Sequence, residues 1–258
     1  KAIKEAKRFG TVNVVSSSKA DVYNHIPKDF QQTEGATYLH VTSNNTIYGT
    51  QWKEFPKAAT YLVADMSSDI LSRKINVSDF GLIYAGAQKN MSCAGVTLAI
   101  IRKDVLGKVE HSIPTMLDYA THIPEHSMFN TPPVFPIYVM NRTLAWLKEN
   151  GGVSAMELLN NKKSGLLYEA IDNSKLFVGT AAKEDRSTMN VPFIFNKETV
   201  AAEKADELQK EFLAFTKERG LEQLKGHRSV GGFRASIYNA MPMEGVEALV
   251  SAMADFEK

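Results

Sequence analysis

One lysine, Lys89, stands in the stretch YAGAQKN, a few residues after the short apolar run FGLIYAG. A carboxylate, Asp65, ends another apolar run, TYLVAD, 24 residues earlier in the chain. That spacing allows a strand, a crossover and a neighbouring parallel strand, so both side chains could meet at the carboxyl edge of one sheet. An amine and an acid that face one aromatic ring suggest pyridoxal phosphate: the lysine forms a Schiff base, and the carboxylate keeps the pyridine nitrogen protonated.

A simpler interpretation exists for each of these residues. Most lysines after a strand lie in solvated loops, and Asp65, Ser67 or Ser68 could cap a helix around DILSR. Nucleotide chemistry has less support, because GxxxxGK[ST] is absent and no G-x-G-x-x-G follows a strand. The histidines of HIPEH lie four residues apart but lack the HExxH order, so we expect no metal site.

The elements that would position Lys89 and Asp65 alternate between strands and helices. Short runs rich in Val, Ile, Thr and Tyr predict strands at residues 11–18, 36–43, 60–68, 80–86 and 95–103. Several of these runs lack strict alternation, which is typical of strands buried on both faces. We therefore predict an α/β domain with a mostly parallel sheet covered by helices.

A different pattern begins at about Pro136 and predicts a smaller α+β unit. One predicted helix ends near residue 150, and three others span 154–172, 200–219 and 244–257. The predicted strands span 189–196 and 231–240. We place the domain boundary near residue 155. Residues 1–155 would then belong to the large domain, and residues 156–258 would form the small C-terminal domain.

Composition limits the classes of function. Thirty basic and 29 acidic residues give a formal net charge of +1, without a basic block, so we expect no nucleic-acid partner. A single cysteine excludes an intrachain disulfide framework and favours a reducing compartment, so we expect a cytoplasmic protein. No apolar run approaches the roughly 18 residues of a membrane span, and the polar start KAIKEAKRFG does not resemble a signal peptide.

Longer motifs carry a family resemblance. The stretches ADMSSDILSR, YAGAQKN, FNTPP and above all LKGHRSVGGFRASIYNAMPMEGVEAL resemble the phosphoserine aminotransferases, fold-type I pyridoxal-phosphate enzymes of the class-V aminotransferases. The resemblance implies amino-group transfer between glutamate and 3-phosphohydroxypyruvate, which gives O-phosphoserine and 2-oxoglutarate in serine biosynthesis. In many bacteria it also implies a parallel step of pyridoxine biosynthesis. The family further implies a cytoplasmic homodimer.

The same resemblance implies roles for the cofactor-binding residues. Lys89 matches the lysine that binds pyridoxal 5'-phosphate covalently, and Asp65 matches the carboxylate on the pyridine nitrogen. Thr46, in SNNTIYG, matches the threonine at the phenolic oxygen of the ring, and it could otherwise be a turn hydroxyl. Gln88 matches a ligand of the cofactor phosphate. Lys89 and Asp65 are thus the expected catalytic residues.

Two further groups of residues are assigned by the resemblance. Asn130 and Thr131 in FNTPP match residues that reach the cofactor phosphate of the neighbouring subunit, which implies composite active sites. His227, Arg228 and Arg234 match residues that receive the anionic groups of the substrate, and the planar fork of arginine suits that task. The expected partners are therefore glutamate, a phosphorylated 2-keto acid and a second copy of the chain.

One difference from the family concerns the start of the chain. KAIKEAKRFG corresponds to a later helix, so we expect the family's glycine-rich phosphate turn, stacking tryptophan and His-Arg pair to lie outside this chain. Two alternatives remain open. One is an aminotransferase for an unphosphorylated small acid, of the serine-glyoxylate or alanine-glyoxylate type, against which His227 and Arg228 argue. The other is a truncated fragment that folds and dimerises without cofactor.

Overall fold

A four-stranded sheet forms the first half of the fold in the computed structural model, which describes residues 2–258. Its strands are β1 (Tyr38–Thr42), β2 (Tyr61–Asp65), β3 (Leu82–Gly86) and β4 (Thr97–Ile101), in that spatial order. The first three strands are parallel, and β4 is antiparallel to β3. The prediction of a mostly parallel sheet is therefore confirmed, with one antiparallel edge strand.

The burial pattern of this sheet differs from the expectation that its strands are buried on both faces. Leu62 and Ala64 of β2 and Ile83 and Ala85 of β3 are buried in one apolar cluster, and the residues between them are partly exposed. The strands thus alternate with period two, and one face forms the core. The parallel register places the carboxyl ends of the strands at a common edge, where Asp65 of β2 lies between its neighbours in β1 and β3.

The second sheet has three antiparallel strands. They are β5 (Phe177–Gly179), β6 (Asn190–Phe195) and β7 (Phe233–Ser236), with β6 in the centre. Its core is built from phenylalanine rings whose centroids lie 4.8 to 6.1 Å apart, namely Phe177, Phe193, Phe195, Phe212 and Phe233. Aromatic packing of this kind adds to the burial of apolar surface and makes β7 a rigid support for its outward side chains.

Helices connect and cover the two sheets. They are α1 (Ala2–Ala6), α2 (Tyr119–His122), α3 (Val134–Glu149), α4 (Gly152–Asn173), α5 (Ala202–Glu218) and α6 (Met243–Phe256). Gly220, at φ +76°, follows the end of α5, as the sequence predicted. The predicted domain boundary near residue 155 lies inside α4, and the division into two domains stays a prediction. No helix within residues 2–258 is both long and apolar enough to span a membrane.

One predicted strand does not form, and one observed strand was not predicted. The strand predicted over residues 11–18 does not form, and Val14 in its centre is 57% exposed. Its β-branched residues favour an extended backbone, but a strand also needs a neighbour, and no backbone group of residues 11–17 pairs with the backbone of another described residue. In contrast, β5 was not predicted, because three residues carry too little periodicity to be recognised.

Candidate active site

Lys89 lies in a tight turn directly after β3. The turn is closed by hydrogen bonds from the backbone N–H groups of Met91 and Ser92 to the carbonyl of Ala87, at 3.1 and 2.8 Å. This geometry directs the half-buried side chain of Lys89 inward, and its Nζ donates to Oγ1 of Thr46 at 2.8 Å. The structure therefore brings together two of the residues that the sequence assigned to the site.

Burial lowers the pKa of the Lys89 amine below its usual value. The negative charge of Asp65 acts in the opposite direction, while the positive charge of Arg234 lowers the pKa of Lys89 further. A lowered pKa increases the fraction of unprotonated amine at neutral pH, and the unprotonated amine is the form that acts as a nucleophile or base. The environment of Lys89 is therefore that of a reactive lysine.

Thr46 is held by a loop that packs against the second sheet. The side chain of Asn45 accepts hydrogen bonds from the backbone N–H groups of Ile47 and Tyr48, at 3.1 and 3.2 Å, which closes an Asx turn around Thr46. Gly49 then adopts φ +73°, and a Cβ atom there would lie 2.2 Å from Cδ of Pro192 in β6. Only glycine allows this close approach, so Thr46 is held between the two sheets.

Asp65 ends β2 and is held by a serine two residues later. Its Oδ1 accepts hydrogen bonds from the backbone N–H and the hydroxyl of Ser67, at 2.9 and 2.6 Å. The Ser67 hydroxyl in turn accepts from the N–H of Gly86 in β3, at 3.1 Å. The chain after Asp65 forms turns, not the helix that the capping interpretation required. These bonds fix the Asp65 carboxylate at the edge of the sheet from which the turn carrying Lys89 leaves.

A histidine and a tyrosine lie beside Asp65 on the same face of the sheet. Nε2 of His40 lies 2.9 Å from the hydroxyl of Tyr84, and Tyr84 pairs with Asp65 in the strand register. Burial lowers the pKa of His40, and the charge of Asp65 opposes that shift. Burial and Asp65 together raise the pKa of Tyr84 to about 12, so its hydroxyl stays protonated and remains a donor.

Arg234 reaches the same site from β7, far away in the sequence. One of its terminal nitrogens donates to the backbone carbonyl of Thr46, at 3.3 Å. Its Nε is buried and has no hydrogen-bond partner within residues 2–258. The other terminal nitrogen makes no hydrogen bond within these residues and is not buried as Nε is, so an anion can reach it. The arrangement fits an anionic ligand that lies close to Lys89.

Sequence reasoning missed the roles of Tyr238, beside Arg234, and of Ser67, beside Asp65. Tyr238, four residues after Arg234, accepts a hydrogen bond from the side chain of Asn190 at 3.0 Å, and burial raises its pKa. Hydrogen bonds with Asn190 and Thr46 and the charge of Arg234 oppose this increase. The sequence gave a weak signal for Tyr238, because Arg234, Ser236 and Tyr238 occupy every second position and so share one face of an extended chain. Ser67 had a clearer signal, because an acid followed by serine two residues later is typical of an Asx turn.

The other predicted cofactor-binding residues make no side-chain hydrogen bond to Lys89, Asp65 or Thr46 within residues 2–258. Gln88 is exposed, and its side chain lies over Gly86, where a Cβ atom would be 2.6 Å from its Oε1. Asn130 and Thr131 are exposed on the segment before α3, and the side chain of Asn130 donates to the carbonyl of Thr131 at 3.3 Å. Their predicted role involves another subunit, and it stays a prediction.

The remaining predicted substrate residues lie in a turn between Gly226 and Gly232. Nδ1 of His227 is 2.6 Å from the hydroxyl of Ser229, and Arg228 is exposed. The side chain of Arg228 makes no hydrogen bond or ion pair within the described part of the chain, and Arg234 makes its own contact at Thr46. The turn is closed by a hydrogen bond from the N–H of Gly226 to the carbonyl of Gly232, at 2.8 Å. The glycines thus shape a compact loop at the start of β7, and Arg228 is free to meet a ligand.

The set of donors fits the reactive end of pyridoxal phosphate. The cofactor needs an amine for its aldehyde, an anion for its pyridine nitrogen and a donor for its phenolic oxygen. Lys89, Asp65 and Thr46 would supply these three groups, and the accessible terminal nitrogen of Arg234 would be left for a substrate anion. The residues present therefore fit this group.

Comparison with known proteins supports the same conclusion. The family model "Aminotransferase class-V" matches residues 2–249. The chain belongs to the class-V aminotransferase family. It is 56% identical over 257 residues to the phosphoserine aminotransferase of Parabacteroides distasonis, and the alignment covers 100% of this chain and 71% of that protein.

Solved structures give the same result at the level of the fold. The phosphoserine aminotransferase of Bacillus circulans subsp. alkalophilus superposes with a TM-score of 0.93 at 46% identity, and covers 99% of this chain and 70% of that one. The pyridoxal-phosphate-bound phosphoserine aminotransferase of Trichomonas vaginalis gives a TM-score of 0.91 at 41% identity, with coverage of 98% and 71%.

These findings confirm three predictions and measure one difference. The fold is the α/β fold of the fold-type I aminotransferases, the cofactor is pyridoxal 5'-phosphate, and the family consists of pyridoxal-phosphate-dependent transaminases. The chain spans about 70% of the length of the relatives that it matches. The roles of individual site residues, the dimer and the cellular compartment remain proposals.

Proposed function

We propose that this chain is a phosphoserine aminotransferase, which transfers the amino group of glutamate to 3-phosphohydroxypyruvate and gives O-phosphoserine and 2-oxoglutarate. The observation that carries the proposal is the identity of 56% over the whole chain with a phosphoserine aminotransferase. The joint presence of Lys89, Thr46 and Arg234 in one half-buried cluster supports it. Three phosphoserine aminotransferases match this chain at 53–56% identity, which favours the phosphorylated substrate over the unphosphorylated alternative.

The proposed reaction requires Lys89 to act as both an attachment point and a base. When bound, pyridoxal phosphate supplies an electron sink that stabilises negative charge at the α-carbon of the amino acid. Nζ of Lys89 removes the proton from that α-carbon, and its lowered pKa leaves a larger fraction of the amine free to do so. The two half-reactions use the same groups in opposite directions, so ping-pong kinetics are expected.

The anionic groups of the substrate need cations at two places. Arg234 binds the α-carboxylate, because one of its terminal nitrogens already lies at Thr46, next to Lys89, and the other is accessible and makes no hydrogen bond within residues 2–258. Arg228 and His227 receive the distal phosphate or the side-chain carboxylate of glutamate, from the exposed turn before β7. A planar guanidinium that binds two oxygens at once suits both tasks. A substrate without a distal anion would not need Arg228.

The exposed surface of the chain supports a homodimer. Between residues 109 and 138 the structure exposes an unusual number of large apolar side chains, and five of them are at least 60% exposed: Leu117, Met128, Val134, Phe135 and Tyr138. An apolar surface of this extent is typical of a protein contact. Asn130 and Thr131 lie within the same segment, which agrees with their assignment to the cofactor phosphate of the other subunit. We also expect a cytoplasmic location and, where that pathway exists, a step in pyridoxine biosynthesis.

The first test of this proposal is an absorbance scan of the purified chain with added pyridoxal phosphate, followed by steady-state kinetics with glutamate and 3-phosphohydroxypyruvate. A visible band that disappears in Lys89→Ala, with turnover that requires the phosphorylated keto acid, would support it. A chain without such a band would be the fragment that folds without cofactor. Equal turnover of glyoxylate would favour the alternative aminotransferase.

The composite site is tested by subunit mixing. An Asn130/Thr131 double alanine variant is exchanged with a Lys89→Ala variant. If each site takes residues from both chains, some mixed dimers contain one site with only intact parts, and activity returns. Proven exchange without any recovery would show that Asn130 and Thr131 do not serve the other subunit.

A further inference from the structure

The turn that carries Lys89 is anchored by the next residue, Asn90. Asn90 is only 6% exposed, and its side chain makes hydrogen bonds in two directions. Nδ2 donates to the carbonyl of Ile70 at 3.0 Å, and Oδ1 accepts from the backbone N–H of Asn239 at 3.1 Å. Lys89 itself makes one side-chain hydrogen bond within the described residues, to Thr46. Asn90 therefore ties the turn, which the backbone bonds to Ala87 close, to two other segments of the chain.

Asn239, the partner of Asn90, lies in the segment that follows β7. Its side-chain Nδ2 donates to the carbonyl of Leu71 at 3.0 Å, and its Oδ1 accepts from Nδ2 of Asn160 in α4 at 2.9 Å. Nδ2 of Asn160 also donates to the carbonyl of Ser72, at 3.0 Å. A network of buried amides thus joins α4, the segment after β7 and the turn of Lys89.

Lys163, one helical turn after Asn160, holds the same segment by its backbone. Its side chain is fully buried, and Nζ donates to three carbonyls, those of Ile237, Tyr238 and Met241, at 3.1, 2.8 and 3.0 Å. A buried ammonium group is stable only when its donors are satisfied, and here all three are. Because residues three apart in a helix lie on one face, α4 presents Asn160 and Lys163 together to residues 237–241.

We propose that Asn90 is a positioning residue for Lys89, and that Asn160 and Lys163 of α4 hold it in place through the segment around Asn239. The inference rests on the proposed role of Lys89 as the reactive lysine. The physical consequence is that the amine of Lys89 is kept half-buried at Thr46 and in a fixed relation to Arg234, which lies on the strand leading into residues 237–241. Loss of an amide from this network would loosen the turn and admit water to the amine.

The test measures the pKa of the Lys89 amine and does not depend on turnover. The rate at which an amine-selective acetylating reagent modifies Lys89 is followed by peptide mass spectrometry as a function of pH, in the cofactor-free chain, and gives the pKa of Lys89. The charged groups that influence this pKa are Asp65, Asp69 and Arg234, and all three stay in place in every variant. Folding of each variant is verified by circular dichroism at the same temperature.

Because burial is the main cause of the lowered pKa, we expect Asn90→Ala to raise the pKa of Lys89 toward its usual value. Asn160→Ala and Lys163→Met should shift it in the same direction by a smaller amount. Lys162→Met is the matched control, since Lys162 is exposed on α4 and carries the same charge as Lys163, and it should leave the pKa unchanged. A residue that is merely structural would lower the melting temperature without moving the pKa of Lys89.

An unchanged pKa of Lys89 in folded Asn90→Ala would overturn the proposal. If Asn90→Ala does not fold, Asn90→Ser decides in its place, because a serine hydroxyl is too short to reach both partners. If Lys163→Met does not fold, Asn160→Ala decides the contribution of α4. The outcome is separable from that of the proposed function: failure of the cofactor to attach to Lys89 in the unmodified chain would refute the role of Lys89, whatever its pKa.

Discussion

Arg234 offers the sharpest test of the substrate site, because the structure shows which of its donors are used. One terminal nitrogen donates to the carbonyl of Thr46, and the buried Nε has no partner within residues 2–258. A substrate carboxylate that binds the free N–H groups of the two terminal nitrogens would gain two charge-assisted hydrogen bonds. Such bonds contribute about 1.5–3 kcal/mol each, although their contributions are not additive.

We expect Arg234→Ala to lose about 2–4 kcal/mol of transition-state stabilisation, which is a decrease of roughly 30- to 1,000-fold in kcat/KM. Arg234→Lys keeps the charge but lacks the planar fork, so it should retain one bond and lose only about 5- to 30-fold. Both half-reactions should be affected equally, because glutamate and the keto acid each have an α-carboxylate. In contrast, Arg228→Ala should affect only substrates that have a distal anion, and alanine or glyoxylate should be nearly unaffected.

The assay is steady-state kinetics of the cofactor-loaded protein with each substrate, together with a melting curve for every variant. Arg8→Ala is the control, because Arg8 is exposed and its ion pair within residues 2–258 is with the exposed Glu5, at 3.4 Å. The reasoning is refuted if Arg234→Lys retains full kcat/KM for both substrates, or if Arg228→Ala depresses all substrates as much as Arg234→Ala does.

Four other outcomes are expected. Lys89→Ala should leave the chain folded but unable to retain cofactor after borohydride reduction, with nearly all turnover lost. Asp65→Asn keeps the oxygen that accepts the turn hydrogen bonds but removes the charge, so the fold should remain and turnover should decrease by several orders of magnitude. Gly49→Ala combines a φ of +73° with a clash against Pro192, and urea unfolding should show a loss of about 3 kcal/mol or more. Burial lowers the pKa of Lys163 to about 8, so the folded state binds fewer protons than the unfolded state above that pH, and stability should rise between about pH 8 and 10 by up to ~1.4 kcal/mol per unit.

Each of these outcomes has a matched control or a contrary result. Cofactor trapped on another lysine in Lys89→Ala would refute the role of Lys89 as the cofactor-binding lysine. Near-normal turnover of Asp65→Asn would show that Asp65 stabilises the turn and has no role in catalysis. Gly107→Ala has a similar φ of +70° but open space around it, so it isolates the conformational cost. The rise in stability with pH should be smaller in Lys163→Met, and an identical pH profile in that variant would contradict the assignment.

The sequence by itself determined the positions of the main elements and the two central residues of the site. Strands β1 to β4 and helices α3 to α6 follow from local periodicity and glycine signals, because a side chain's preference for the core depends on its own type and spacing. The placement of Asp65 and Lys89 at one sheet edge also followed from the sequence, since a short crossover between parallel strands brings consecutive strands side by side. Their roles came from the resemblance of longer motifs to a family.

Only the tertiary structure decided which distant residues meet. Arg234 contacts the loop of Thr46 although 188 positions separate them in the sequence, and Asn239 contacts Asn90 although 149 positions separate them. A periodic pattern of side chains predicts local structure and cannot predict contacts between residues so far apart. Residues 11–18 have the composition of a strand, but a strand is completed by a neighbour that supplies hydrogen bonds, and none is provided within residues 2–258. Nothing in the sequence distinguishes Lys163 from an ordinary exposed helix lysine. The three carbonyls that accept hydrogen bonds from its ammonium group lie near it only when the chain folds.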